Sequence, residues 1–140
     1  MNIAAQPPVQ ADQTIYLKDY QKPAFLVESI HLDIQVYDDH TIVDSTLVMK
    51  RQAAGELVLL GRDLELQSIQ MNGQLLNAGQ YQLDSEQLVI TDASDQVILK
   101  IQVVIHPESN TQLEGLYKAG DLFVTQNEPE GFRKITFYPD

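Results

Sequence analysis

Strict alternation of apolar and polar residues is the feature that most limits how this chain can fold. Val97–Ile105 carries an apolar residue at every second position, and Ser29–Tyr37 repeats the pattern. A period of two places alternate side chains on opposite faces of a β-strand, so one face of each segment is predicted to be buried. In the earlier segment, the residues predicted to be buried are Ile30, Leu32, Ile34 and Val36.

Turn signals divide the chain into several more short strands. Residues 25–50 form a predicted hairpin around the polar break at 38–40, and Asn72-Gly73 predicts a second one because both residues tolerate positive φ. Within 64–71 the apolar positions change parity, which predicts a β-bulge near Gln67-Ser68. No segment shows a helical period with caps. The predicted fold class is therefore all-β, an antiparallel sandwich or curved sheet.

Composition limits the partners and the location of the chain. The sequence has 140 residues, a formal net charge of -11 and no cysteine. This length fits one domain, whereas the acidity argues against a nucleic-acid partner or an anionic membrane surface. No leader with a basic and an apolar region is visible, so a cytoplasmic location is expected. Residues 1–13 are predicted to be a disordered lead-in, and residues 14–140 are predicted to form the domain.

No complete catalytic constellation or metal-ligand spacing occurs among these residues. The three histidines have no H-E-x-x-H spacing, and there is no nucleophile elbow or phosphate-binding loop. No catalytic and no metal-binding residues are therefore predicted in this chain. The exception is a polar, carboxylate-rich segment at 125–133, where Glu128 and Glu130 lie close to Gln126 and Arg133. An ionised carboxylate is the natural partner of a substrate ammonium group, although a solvated loop would have the same composition.

Two structural expectations accompany this segment. Arg133 is predicted to pair with a neighbouring carboxylate such as Glu130. Gly115, Gly120 and Gly131 are predicted to occupy positive-φ turns rather than to contact a ligand.

The final third of the chain contains three linked motifs: N-T-x-L-E-G-L-Y-x-x-G at Asn110–Gly120, T-Q-x-E-x-E-G-F-R at Thr125–Arg133 and I-T-F-Y-P-D at Ile135–Asp140. Through these motifs it closely resembles the end of the N-terminal β domain of the aminopeptidase N family of zinc metallopeptidases, in its bacterial branch. The opening is more loosely similar, with Tyr20, Pro23 and Phe25 at the family's aromatic and proline positions.

The resemblance implies a saddle-like or sandwich β domain of an enzyme that removes N-terminal residues from peptides. In this family the Glu of the Gln-x-Glu motif binds the free α-amine of the substrate, beside a Glu from a Gly-x-Met-Glu-Asn loop of the catalytic domain. By position, that Glu is Glu128, and Gln126 would line the pocket for the first side chain. Many members have Cys-Glu-Ala where this chain has Asn127-Glu128-Pro129, which leaves the carboxylate and alters its surroundings.

The same resemblance implies that much of the enzyme lies outside these residues. The family's zinc ligands, catalytic base and oxyanion tyrosine belong to a downstream domain, so zinc is expected in the full-length enzyme and not in this part. The chain is also expected to stop before the last strands of its β domain. The expected partners are peptides with a free N-terminus and the catalytic domain of the same chain. The alternatives are a non-enzymatic β-sandwich binding or adaptor module, and a family member that has lost its zinc ligands.

Overall fold

The computed structural model describes residues 16–140, and ten β-strands and three short 3₁₀ helices lie within them. The predicted lead-in at 1–13 lies outside the described residues. The strands are β1 (Phe25–Val36), β2 (Thr41–Arg51), β3 (Leu57–Leu60), β4 (Glu65–Met71), β5 (Gln74–Leu75), β6 (Gln82–Leu83), β7 (Gln87–Ile90), β8 (Gln96–Ile105), β9 (Gly115–Ala119) and β10 (Leu122–Gln126). The 3₁₀ helices are Leu17–Asp19, Pro107–Ser109 and Gly131–Lys134. No helix within the described residues is long and apolar enough to cross a membrane.

All strand pairs are antiparallel, which confirms the predicted fold class. A five-stranded sheet has the order β1-β2-β8-β4-β5, and a smaller sheet has the order β3-β7-β6. Strands β9 and β10 form a separate two-stranded sheet. The domain thus consists of two larger antiparallel sheets and one hairpin that pairs with neither of them.

The core lies between the five-stranded and the three-stranded sheets. Every second residue of β8, from Val97 to Ile105, is buried, as the alternation predicts. These side chains share one hydrophobic cluster with Leu59 of β3 and Leu88 of β7, both fully buried. Burial of such a side chain contributes about 1.5–3 kcal/mol, so this contact between layers is the main stabilising term of the fold.

The turn and bulge predicted in the middle of the chain are both present. Asn72 and Gly73 have φ values of 51° and 83° and connect β4 to β5. The pairing of β4 with β8 shifts register between Leu66 and Ser68, so the bulge restores the apolar side chains to the core face. Asn72 also accepts a hydrogen bond from the Ile98 N–H at 2.8 Å, which ties the turn to β8.

The burial predicted for three apolar residues of β1, namely Ile30, Ile34 and Val36, is wrong, whereas Leu32 is partly buried against the core. Ile30 and Ile34 pair with Leu47 and Val43 of β2 and so lie on the core face, yet they are 37% and 43% exposed. Val36 is exposed to the same extent as Ile34. The reason is geometric: β1 is a 12-residue edge strand, whereas β3 and β7 have four residues each and are too short to cover it.

Candidate functional site

The β9–β10 hairpin positions the polar segment singled out in the sequence. Its two strands are joined through Gly120, which has a φ of 62°, and Gln126 at the end of β10 pairs with Gly115 at the start of β9. Leu116 of β9 packs against the core and attaches the hairpin to the domain. The backbone of Gln126 is therefore held in place as the last residue of β10.

The chain reverses immediately after Gln126. The Glu128-Pro129 peptide bond is cis, and the Gly131 N–H donates to the Asn127 carbonyl at 2.9 Å. The Glu128 N–H donates to Oε1 of Gln126 at 3.4 Å, so the structure brings together the two residues predicted to bind substrate. Both are exposed at the tip of the turn. A ligand would therefore meet them without any rearrangement of the domain core.

Close backbone packing, and not positive φ, explains Gly131. A Cβ built on Gly131 would lie 2.1 Å from the Gln126 carbonyl oxygen and 2.8 Å from the Gly115 nitrogen. Gly131 has no positive φ, so the predicted role is wrong for this residue, whereas Gly115 and Gly120 do have positive φ values of 73° and 62°. The missing side chain lets the turn fold back onto the end of β10.

The two glutamates of the segment lie in different electrostatic surroundings. Oε2 of Glu130 is 3.3 Å from Nη2 of Arg62 and 3.5 Å from Nη1 of Arg133, which confirms the predicted pairing. Arg133 also forms an ion pair with Asp140 at 2.5 Å. By contrast, the carboxylate of Glu128 has no hydrogen bond or ion pair with any residue of the described part of the chain. Glu130 is thus engaged within the domain, whereas Glu128 has no charged partner among residues 16–140.

A buried lysine fixes the 3₁₀ helix that follows the turn. The Lys134 side chain is 5% exposed, and its Nζ is 3.1 Å from Oδ2 of Asp63 and within hydrogen-bond distance of Gln112. The Arg62 N–H donates to the Arg133 carbonyl at 2.8 Å. These contacts connect the segment to the loop between β3 and β4.

The loop that precedes β9 is organised by Asn110. Its Nδ2 donates to the carbonyls of Glu114 and Leu116 at 2.7 and 3.0 Å, and its Oδ1 accepts the Gln112 N–H at 3.1 Å. This role explains the asparagine that opens the first motif. Sequence reasoning missed Arg62, Lys134 and Asn110 as supports of the site, because only the fold brings Arg62 near residue 130.

Two cavities flank the segment without including its tip. One, of about 200 Å³, is lined by Pro129, Glu130 and Arg133 among others, and another, of about 560 Å³, includes Gln112 and Lys134. Neither is lined by Gln126 or Glu128. Gln126 and Glu128 are thus exposed at the tip and lie outside both of these cavities.

The described residues do not fit a metal ion. No group of three or more His, Cys, Asp or Glu side chains that could hold one occurs within residues 16–140. The zinc that the resemblance implies thus has no ligand set in this part of the protein.

Comparison with known proteins identifies the domain. It is 41% identical over 130 residues to aminopeptidase N of Caulobacter vibrioides, and 37% identical over 133 residues to aminopeptidase N of Escherichia coli. These matches cover 91% and 94% of this chain. The β domain belongs to the aminopeptidase N family. In both cases the chain spans only 15% of the length of its aminopeptidase N relative. No protein-family model matches the chain.

Two solved structures have the same fold as this domain. Legionella pneumophila aminopeptidase A in complex with aspartic acid superposes with a TM-score of 0.80 at 26% identity, over 89% of this chain and 15% of that one. An M1 zinc metallopeptidase of Deinococcus radiodurans superposes with a TM-score of 0.68 at 19% identity, over 84% of this chain and 29% of that one. At that lower identity the second likeness shows the fold alone.

Proposed function

We propose that this β domain is the N-terminal part of a zinc-dependent aminopeptidase that removes single residues from the N-terminus of peptides. The relatives named aminopeptidase N, each about 40% identical, support the activity. The short share of their length that the chain spans supports a role as one domain among several. In this proposal the domain contributes to substrate binding and performs no bond cleavage.

The single observation that carries the proposal is the exposed carboxylate of Glu128, which has no hydrogen-bond or ion-pair partner among residues 16–140. A carboxylate exposed at the tip of a well-packed turn accepts hydrogen bonds from an ammonium group, and each such charge-assisted bond contributes about 1.5–3 kcal/mol. Glu130, two residues away, is engaged by Arg62 and Arg133 and is a poorer partner for a substrate. The free α-amine of a peptide is the cation that we assign to Glu128.

Gln126 is proposed to line the pocket for the first side chain of the substrate. Its Oε1 accepts the Glu128 N–H, so its amide is oriented beside the carboxylate. A group that lies next to the bound α-amine also lies next to the side chain of the same residue. Asn127, between the two, replaces the cysteine found in many members and is expected to change the shape of this pocket.

Selection for a free N-terminus follows from this arrangement. A peptide with a blocked amine leaves the carboxylate desolvated and unpaired, and a site built around such a polar contact rejects ligands that lack it. Zinc, bound by residues outside 16–140, would supply activation of water and of the scissile carbonyl in the full-length enzyme. The isolated β domain is expected to cleave nothing. A cytoplasmic location stays a prediction.

Glu128→Gln in the full-length enzyme tests the proposal. Loss of one charge-assisted contact of about 1.5–3 kcal/mol lowers kcat/KM by roughly 10- to 150-fold, at about 1.36 kcal/mol per tenfold. The measurement is hydrolysis of an aminoacyl reporter by wild type and variant at matched zinc content. Asp121→Asn, which removes a carboxylate from the hairpin turn on the other side of β10, is the matched control and should retain wild-type kcat/KM.

Near-normal cleavage by the Glu128→Gln variant would show that another group binds the amine. Absence of aminopeptidase activity from zinc-loaded wild type would instead favour the adaptor or the inactive family member. The coding sequence after Asp140 distinguishes both alternatives from an active metallopeptidase, which requires an H-E-x-x-H motif there. A stop codon would favour the adaptor, and a catalytic domain that lacks the motif would indicate the inactive family member.

A further inference from the structure

The turn that carries Glu128 holds a second carboxylate close to the proposed amine site. Only Pro129 separates Glu128 from Glu130, and a step of two residues spans at most about 7 Å of backbone. The side chain of Glu130 is 52% exposed. A lysine side chain has a four-carbon stem, which is long enough to cover this distance. A peptide whose α-amine is bound at Glu128 can therefore bring a basic first side chain to Glu130.

Two arginines compete with a substrate for the Glu130 carboxylate. Its Oε2 is 3.3 Å from Nη2 of Arg62 and 3.5 Å from Nη1 of Arg133. Of the two side chains, Arg62 donates a hydrogen bond to Glu130. Arg133 is paired more closely with Asp140, because its Nη2 lies 2.5 Å from Oδ2 of that residue. Arg62 therefore provides the main hold on Glu130.

The loop between β3 and β4 keeps Arg62 in this position. The backbone N–H of Arg62 donates to the Arg133 carbonyl at 2.8 Å, and its side-chain Nε lies 3.4 Å from Oε2 of Glu86. Glu86, Glu130 and Asp140 are thus connected through two guanidinium groups. Loss of the Arg62 charge would leave one cation for three carboxylates, so the negative charge of Glu130 would be largely uncompensated.

We propose that Arg62 is a positioning residue for substrate specificity, which holds Glu130 and so keeps that carboxylate away from a basic first side chain of the substrate. This role rests on the proposed function, because it requires the substrate α-amine at Glu128. In the wild-type enzyme the turn then attracts the substrate through its α-amine alone. An Arg62→Gln enzyme would present two carboxylates, one for the α-amine and one for a lysine or arginine side chain.

The test compares two aminoacyl reporters in the full-length enzyme, one with lysine and one with norleucine at the first position. Both side chains have a linear four-carbon stem, and lysine adds the ammonium group. We expect Arg62→Gln to raise the lysine-to-norleucine ratio of kcat/KM by about two- to fivefold, which is the size of a partly exposed ion pair. The gain should shrink at about 1 M salt, where the Debye length is about 3 Å.

Control variants separate this role from a general loss of stability. Arg62→Gln combined with Glu130→Gln should return the ratio to its wild-type value, because the released carboxylate is gone. Arg51→Gln breaks an ion pair of 2.8 Å with Asp95 at the end of β2 and should leave the ratio unchanged. Glu130→Gln alone should also keep the wild-type ratio, and this variant tests the proposal even where Arg62→Gln does not fold.

Three outcomes would overturn the proposal. An unchanged ratio in Arg62→Gln, whether or not both rates fall, would show that Arg62 supports the fold only. A raised ratio that persists in the double variant would assign the attraction to another carboxylate. A lower ratio in Glu130→Gln alone would show that Glu130 already binds the basic side chain in wild type. Failure of the proposed function is distinguishable, because it would appear as near-normal kcat/KM for both reporters in Glu128→Gln.

Discussion

Replacing Gly131 with alanine tests the packing that holds the turn that carries Glu128. The added Cβ would lie 2.1 Å from the Gln126 carbonyl oxygen, well inside any normal contact. Both of the nearest contacts are backbone atoms, on Gln126 and Gly115, so no side-chain rotation relieves the clash. The turn and the end of β10 must therefore separate.

The cost of this separation follows from general experience with overpacking. Forcing an extra carbon into a packed site costs about 1–3 kcal/mol, and we expect the upper end because the obstruction is backbone. A loss of about 3 kcal/mol lowers the melting temperature of a domain of this size by roughly 10 °C. Thermal and urea unfolding of the 140-residue chain measure it directly.

Separation of the turn from the end of β10 should also displace Glu128. In the full-length enzyme, Gly131→Ala should lower kcat/KM even at temperatures where the protein is folded, because Glu128 is held through the Asn127–Gly131 turn. Gly79→Ala is the control: this glycine has no positive φ, and its nearest neighbour is the Asn77 side chain at 3.3 Å, so a change within about 0.5 kcal/mol is expected. A Gly131→Ala protein with wild-type stability and activity would refute the close-packing explanation.

Two further predictions concern groups that support the fold. Lys134→Ala should destabilise the domain by about 1–2 kcal/mol in urea unfolding, and Lys134→Met should recover most of this, because the buried stem matters more than the ion pair with Asp63, whose side chain is 70% exposed. Equal losses in both variants would assign the effect to the charge instead. The His106 Nε2 lies 2.9 Å from Oε1 of Glu65, and this hydrogen bond is the main cause that raises the pKa of His106 above 6.5. The stability contributed by the protonated imidazole is therefore complete below pH 6.5 and is lost as pH rises through the higher folded-state pKa. The free energy of unfolding of wild type should accordingly fall relative to that of His106→Gln between about pH 6 and 8. The change should be less than about 1 kcal/mol, because the site is exposed. A constant difference between the two proteins across that range would contradict it.

Local pattern was sufficient for most of the strands. The alternation in 97–105, the Asn72-Gly73 turn and the parity change near Gln67 each correspond to a feature of the structure, because period, turn chemistry and bulges are local properties of the backbone. A second bulge, where β1 shifts register between Val27 and Ser29, was not predicted. The change of apolar parity between Phe25 and Ile30 is the same signal that revealed the bulge in β4.

For the site, residue pattern alone left two carboxylates in the Gln-x-Glu-x-Glu segment, and it was the resemblance that favoured Glu128. The pairing of Arg133 with Glu130 was predicted because the two residues are close in sequence. The contact of Arg62 with Glu130 was not predicted, because 68 residues separate them and no local pattern connects them.

By itself, the sequence determined most of the strands, their turns and the family resemblance, since these depend on residues that are neighbours along the chain. The tertiary structure decided which apolar faces are covered, which glutamate is neutralised and why Gly131 is glycine, since each of these depends on residues brought together from distant parts of the chain. The exposed apolar residues of β1, Ile30, Ile34 and Val36, show the difference most directly. Alternation states that one face of a strand is apolar, and only the size of the opposing sheet decides whether that face is buried.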